Sequence, residues 1–600
     1  MPTDPTPSEP TGLPGEPAPT SSGLSAGSAP GPHGHLTGAR LPRVKGNDYR
    51  DLRPLTGDWT PTLTVSVVIP AYNGQDKLDL VLAALAGQTY PAELTEIIVV
   101  DNGSSPPLTA PPPVRLIHCP APGRPAARNA GLAAATGDVI HWLDSDVLLT
   151  PGALDAHMRW HHAAPYLSVT GYIRFTTAPV PAVLPADLEA AFEPAEPHGW
   201  LVELVERTHG LTDPAQRHFS LHIGGATSVS AALLAAAGPM DEDVALGQDT
   251  ELGYRLAQAG AVFVPEPSAR AYHLGPTMRM RDKQPIDRVS HAFVADRIPV
   301  YRWLRSHPAR QWKVPLVTAV VPAGGYDETR ATVDALLAGT VPDVSVVLTG
   351  DWPAAIGDRR APLRDPNLDL TLLRGHYTHE ARVRLAVDPS APPYEQGTAV
   401  DPAVPYARGA LVDPAVPYVL RVPAGWVPGA DTLARLLDLM REEDHGLVNV
   451  LLAEDPAGLT VARLEKRAAF ARAALVVTPG EDLDDAVDDV SGVRWVDGET
   501  FGFGSEPRTI TGRRSAFRAR QEAERERARL HAETVRQAAE IERLRAQVAR
   551  WRDEAGRWRK SSVELRREIG TLRRQLGTLR RRSWQQVAAT LKRAVKNRLP

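Results

Sequence analysis

Apolar residues along this chain change spacing several times, and each change predicts a different kind of structure. From Val65 the chain reads VSVVIP, a β-branched run stopped by a proline and the turn AYNG. DKLDLVLAALAGQ follows, with Leu78, Val81, Leu82 and Leu85 at helical spacing, and then a second apolar run, EIIVVD, closes at Asp101. A third unit runs from RPAARNAGLAAATG into DVIHWLDSD and ends at Asp146. Strand, helix, strand with continuously apolar strands predicts a parallel α/β sheet buried on both faces. Ligands of such sheets lie beyond the carboxyl ends of the strands, here 70–74, 101–104 and 144–146.

The scheme restarts at Pro315. VTAVVPAGGYDETRATVDALLAGTVPDVSVVLTGDW again gives strand, proline, glycine turn, helix, strand and aspartate. Further on, YVLRVPAGWVPGADTL aligns with HWLDSDVLLTPGALDA through the pairs Pro151-Gly152 and Pro428-Gly429, which predicts a diverged internal repeat. That alignment matches Asp144 with Arg421 and Asp146 with Pro423, so the second copy lacks the acidic pair. Near the end Ile541, Leu544, Val548, Trp551, Ala555, Trp558, Ser562, Leu565, Ile569, Leu572, Leu576 and Leu579 alternate by threes and fours, a coiled-coil seam. At ~1.5 Å per residue it extends close to ~60 Å. In SWQQVAATLKRAVKNRLP, Trp584, Val587, Ala588, Leu591 and Val595 share one face while Lys592, Arg593, Lys596 and Arg598 lie mostly off it, as in a helix on an anionic membrane surface.

The predicted organisation is a Pro/Gly/Ser-rich disordered segment over 1–60, an α/β domain over 61–312 and a second, degenerate α/β domain over 313–508. A coiled coil over 509–582 and a basic amphipathic helix over 583–600 follow. The opening segment has almost no large apolar side chains with which to offset its ordering entropy. Net charge is only −4, which argues against a strong polyanion partner, yet residues 511–600 are markedly basic and the remainder acidic. No nucleic-acid-binding motif accompanies that basic end. Cys119 is the one cysteine, which excludes an internal disulfide and a paired-cysteine metal site. With no signal-peptide pattern and no apolar run near ~18 residues, the expectation is a cytoplasmic protein, peripheral on the inner face of the cell membrane if its last helix binds there.

Each chemically suggestive residue has a plainer reading beside it. Asp144 and Asp146, two apart at a strand end, can share a hard divalent cation such as Mg2+ or Mn2+, or simply form a solvated turn. Asp101 before Asn-Gly-Ser can hold a base or ribose, or form a turn. Arg128, early in a helix, can meet phosphate or water. Asp249 at a helix start can be a general base or a cap. His273 at a strand end can complete a metal shell or be structural.

Order and spacing lift these signals together. VSVVIPAYNG, EIIVVDNGSS, ARNAGLAAATGDVIHWLDSD, GGATSVSAALLAAAGPMDED and GQDTELGYRLAQAG resemble, in sequence, the family 2 inverting glycosyltransferases of GT-A fold, over residues 65–274. The resemblance implies a Rossmann-like nucleotide-sugar domain. In it Pro70, Tyr72 and Asn73 border the base, Asp101 holds base or ribose, and Arg128 fixes the nucleotide. Asp144 and Asp146 form the DxD element, Asp146 being the direct ligand of Mn2+ or Mg2+, with His273 at metal or diphosphate. Asp249 corresponds to the catalytic base. The chain departs from the family at Gln248, where glutamate usually precedes the base, and it lacks the Q-x-x-R-W signature of processive synthases.

These features imply transfer of one or a few sugars from a nucleoside-diphosphate sugar to a hydroxyl of a glycan or lipid-linked acceptor, in cell-envelope or surface polysaccharide biosynthesis. The coiled coil predicts a homo-oligomer. Two alternatives are a sugar-phosphate nucleotidyltransferase, whose Gly-rich basic opening loop is missing, and a non-catalytic coiled-coil scaffold with degenerate domains.

Overall fold

The computed structural model describes residues 41–213, 217–305, 311–352, 354–356, 360–387, 411–456, 458–505 and 513–596. Residues 1–507 form one compact unit and residues 508–600 a second.

In the first unit the predicted strand–helix alternation builds a curled sheet. Its strands are β1 (Val65–Ala71), β2 (Thr95–Asp101), β3 (Arg115–His118), β4 (Val139–Leu143), β5 (Val147–Leu149), β6 (Leu167–Thr176), β7 (Glu196–Pro197), β8 (Ala226–Ser230) and β9 (Val262–Leu274). They run in the order β3-β2-β1-β4-β8-β6-β9-β5, with β7 beside β6. The strands from β3 to β4 are mutually parallel, β8 is antiparallel to β4 and β6, and β6 is parallel to β9. Helix Arg124–Ala134 packs on β1 and β2 because Gly131 leaves room for it: a Cβ there would sit 2.3 Å from Val68 Cγ1.

A second sheet follows, made of β10 (Val317–Pro322), β11 (Val344–Thr349), β12 (Val383–Ala386), β13 (Tyr418–Arg421), β15 (Leu447–Asp455), β16 (Gly458–Lys466) and β17 (Val493–Asp497). Its order is β12-β11-β10-β13-β16-β15-β17, while β14 (Trp426–Pro428) pairs with β18 (Phe503–Ser505). Order and direction repeat those of the first sheet. β12-β11-β10-β13 stands for β3-β2-β1-β4, β16-β15-β17 for β8-β6-β9, and the β14–β18 pair for β5 against the end of β9.

The registers correct the sequence alignment by two residues. Val65 stands opposite Val139 and Val317 opposite Tyr418, so Asp144 corresponds to Pro423 and Asp146 to Gly425. Pro428 lies inside β14 whereas Pro151 lies beyond β5, so the two Pro-Gly pairs are not equivalent positions.

The halves share their cores. Val294 and Ile298 cluster with Val320, Val347 and Val416, and Leu167 and Val262 with Leu447, Phe470 and Val487. Arg472, on helix Arg467–Val476, donates to the carbonyls of Gly260 (2.8 Å), Ala261 (2.6 Å), Val44 (3.4 Å) and Gly46.

Residues 41–52 correct the expectation of disorder over 1–60; residues 1–40 lie outside the described ones. Val44 and Leu52 are buried apolar anchors. Asn47, 6% exposed, donates to the carbonyls of Leu211 (3.0 Å) and Phe263 (2.9 Å) and accepts from Phe263 N (2.8 Å). Arg43 reaches Glu481 and Asp489, both at 2.5 Å, so the segment straps both halves.

The second unit carries one 84-residue helix, Arg513–Lys596. Ile541, Leu544, Val548, Trp551, Leu565, Ile569, Leu572, Leu576 and Leu579 are exposed along it, as are Trp584, Val587 and Leu591. Among the described residues no helix is long and apolar enough to cross a membrane.

Candidate active site

Beyond the carboxyl end of β4 a single guanidinium joins two elements that are far apart in sequence. Arg128, 1% exposed, donates from Nη2 to Asp144 Oδ1 (3.0 Å) and to the Gly224 carbonyl (2.9 Å), and from Nη1 to Asp249 Oδ1. Asp249 is the second residue of helix Gln248–Gln258. Gly224 makes the cradle, since a Cβ there would lie 2.0 Å from Arg128 Nη2. Arg128, expected at the nucleotide, is therefore engaged with two carboxylates and a carbonyl.

The two carboxylates differ in proton affinity. Burial pushes the Asp144 carboxyl up and prevails over Arg128 and Arg124. Burial also pushes Asp249 up, but Arg128, His222 and Arg124 outweigh it and hold that carboxyl below its ordinary range. Asp249 is thus ionised at neutral pH, as a proton acceptor must be.

Asp146 faces other partners. Lys77 Nζ lies 3.3 Å from Asp146 Oδ2 and donates to the Leu274 carbonyl at 2.9 Å. His273 sits opposite Val147 in the β5–β9 pair, with Nε2 3.5 Å from Asp146 Oδ1. Its Nδ1 lies 2.8 Å from the Gly275 carbonyl; donating there leaves the Nε2 lone pair facing the carboxylate. A carboxylate oxygen and an imidazole nitrogen at that spacing are two groups that can ligate one divalent cation, the remaining positions being left to water or substrate phosphates. The expected trio is not assembled: among the described residues no three His, Cys, Asp or Glu side chains form a metal-binding group, because Asp144 is turned to Arg128.

The remaining expected residues line one rim. Tyr72 is 68% exposed just past β1, beside the half-buried Pro70. Asn73 takes a left-handed conformation (φ 57°), donates from N to Ser104 Oγ (2.8 Å) and accepts from Ser105 N (3.1 Å). Asp101, 2% exposed, accepts from the backbone N of Ser104 (2.9 Å) and of Leu108 (3.1 Å), so it shapes that loop.

Sequence reasoning missed Lys77, Gly224 and His222. Lys77 reads as an ordinary solvated helix charge, and nothing in its neighbours announces Asp146. His222 is buried with Nδ1 3.3 Å from Ser168 Oγ, a contact between residues too far apart in sequence to foresee. Gly224 stands in the stretch GGATSVSAALLAAAGPMDED, so its type is visible in the sequence although its reason is not. Gln248 is buried and its Oε1 has no hydrogen-bond partner.

Residues 66–181 match the model of glycosyl transferase family 2. The chain is 30% identical over 224 residues to a pre-mycofactocin glycosyltransferase of Mycobacterium tuberculosis, covering 35% of this chain and 42% of that one. It is 25% identical over 353 residues to a chondroitin synthase of Escherichia coli, covering 53% and 49%. The chain thus spans less than half the length of these curated relatives. A crystal structure of GalNAc-T7 with UDP, GalNAc and Mn2+ aligns at 17% identity and a TM-score of 0.30, over 40% of this chain and 49% of that one. The sequence matches place a family 2 glycosyltransferase region in the first α/β half, with the family model itself matching residues 66–181.

Proposed function

We propose that the first half transfers a sugar from a nucleoside-diphosphate sugar to a hydroxyl of a glycan or lipid-linked acceptor, with inversion at the anomeric carbon. One observation carries this reading: the partly buried carboxylate of Asp249 is fixed beside the DxD strand end by Arg128. Asp249 accepts the proton of the attacking hydroxyl. Tyr72 and Asn73, with Pro70, border the base, and Asp101 holds the loop against which base or ribose rests. Asp146 and His273 hold Mn2+ or Mg2+, whose charge, when bound, offsets that growing on the departing diphosphate. Lys77 lies against the same carboxylate and shares that charge balance.

The second half, over 313–508, is a degenerate copy that binds acceptor or supports the first half without catalysis. The coiled coil expected over 509–582 self-associates through the apolar seam exposed on helix Arg513–Lys596, and the basic segment 583–600 rests on an anionic membrane surface, suiting a role in envelope glycan synthesis.

The test is nucleotide release by the purified full chain with Mn2+ and a panel of UDP-, GDP- and TDP-sugars. Release from one class is expected. Silence across the panel, with no thermal shift from any nucleotide, overturns the reading in favour of a scaffold.

A further inference from the structure

The sequence points Arg128 toward the donor nucleotide, but its terminal nitrogens are turned to other partners, and its Nε, which has none, is buried. Its side chain is 1% exposed, and both terminal nitrogens are occupied, by Asp249 on one side and by Asp144 and the Gly224 carbonyl on the other. The ring of Trp142 lies 5.9 Å from its guanidinium carbon, closing another side. A planar fork held at three points fixes direction as well as charge.

We propose that Arg128 is the positioning residue of the general base: it orients the Asp249 carboxylate and ties that orientation to the DxD strand end. The proposal rests on the reading of the first half as an inverting transferase. Helix Gln248–Gln258 reaches the site at its first turn, where Gly247 is in a left-handed conformation (φ 92°). A carboxylate there has rotamer freedom unless something holds it, and Arg128 does so from helix Arg124–Ala134. The Gly224 carbonyl anchors the guanidinium in turn. The link is therefore Gly224, Arg128, Asp249, with Asp144 on the branch facing the donor. Occupation of the donor site beside Asp144 is thereby coupled to the aim of the base, although Arg128 itself touches no substrate.

The experiment compares the full chain with Arg128→Met, Arg128→Lys and Gly224→Ala. UDP affinity is measured by calorimetry with Mn2+, and UDP release is measured from UDP-glucose and UDP-N-acetylglucosamine with water as acceptor. A misaimed base costs on the order of 100-fold in kcat for Arg128→Met and Gly224→Ala, with UDP Kd and donor KM changed less than about threefold. Arg128→Lys, which keeps one charged contact, regains roughly tenfold of that loss. Loss of UDP affinity at unchanged kcat overturns the proposal and returns Arg128 to the nucleotide. Wild-type chain that neither binds nor cleaves any donor defeats the transferase reading instead. A crystal structure of Arg128→Met, or of Arg128→Lys if the former does not fold, decides positioning without turnover. Asp249 should leave its place, and an unmoved Asp249 overturns the proposal.

Discussion

At the end of β4 the chain places Asp144 and Asp146; at the equivalent end of β13 it places Pro423 and Gly425. Helix Leu483–Val490 stands where helix Gln248–Gln258 stands in the first half, and its second residue is again an aspartate, Asp484. Asp249 is bound to an arginine from the helix between β3 and β4. Asp484 is bound instead to Arg463 of β16, at 2.7 Å, and Arg463 also contacts Glu465 at 3.3 Å. The stretch that would carry the counterpart of Arg128 falls largely within 388–410, outside the described residues. Two sheets of one topology thus differ where strands end, so strand order fixes where a site can form and loop residues decide whether it does.

The cores differ too, and this difference carries the largest expected effect. His141 faces Ser228 across β4 and β8; the corresponding pair in the second sheet is Leu420 and Leu464. His157 and His161 each lie 2.8 Å from Ser228 Oγ. Burial pushes His141 down to about 4 and His161 to about 3, and holds His157 well below its ordinary value. Their folded-state affinities lie below the unfolded value of roughly 6.5, so their stability contribution is complete above that pH. It is lost as pH falls from there toward about 4. At pH 5 the loss is on the order of 2 kcal/mol per histidine. Urea midpoints at pH 7.5 and 5.0 should fall steeply in the wild type, and less in His141→Leu, which copies Leu420. An equal pH slope in both proteins would remove the comparison's basis.

Next in size is the aspartate pair. Asp249→Asn should lower turnover about 10³-fold, the range of a lost general base, with nucleotide affinity kept. Asp484→Asn should leave turnover unchanged within about twofold. If Asp484→Asn were as damaging, the second half would be chemically active after all. A smaller effect is expected at the seam between halves. Arg472→Met strands the carbonyls of Gly260, Ala261 and Val44, at a cost of about 3 kcal/mol read by urea unfolding. A cost near zero would show that the shared cores alone hold the halves together.

Much of this was legible because local pattern suffices for it. The β-branched runs at Val65, Glu96 and Val317 announced their strands, and five ordered stretches marked the family. What pattern could not supply was register and long-range pairing. The Pro-Gly pair looked like the best anchor for the repeat, yet one proline lies in a strand and the other in a turn. Residues 41–52 read as part of a disordered leader because their few apolar anchors, Val44 and Leu52, have partners hundreds of residues away. Arg128 illustrates the same limit. Its type and place fitted the family, but its partners Asp249 and Gly224 come from elsewhere in the chain, and only they show which way it points.

The smallest expected effect is also the most pointed. Arg463 and Arg128 both hold the second residue of an equivalent helix. Arg463 is 12% exposed and its partner Asp484 24%, and its other partner, Glu465, keeps Arg421 at 3.0 Å when Arg463 is removed. Arg463→Met should cost about 1 kcal/mol in urea unfolding and nothing in turnover, because a methionine fills the same stem volume and Asp484 can turn to solvent. Arg128→Met cannot be relieved that way, since Arg128 is buried and the carboxylates it joins have a task to perform. Should Arg463→Met depress turnover as Arg128→Met does, the second half would be shaping the first half's site through the shared cores, and the two α/β halves would have to be treated as one catalytic body.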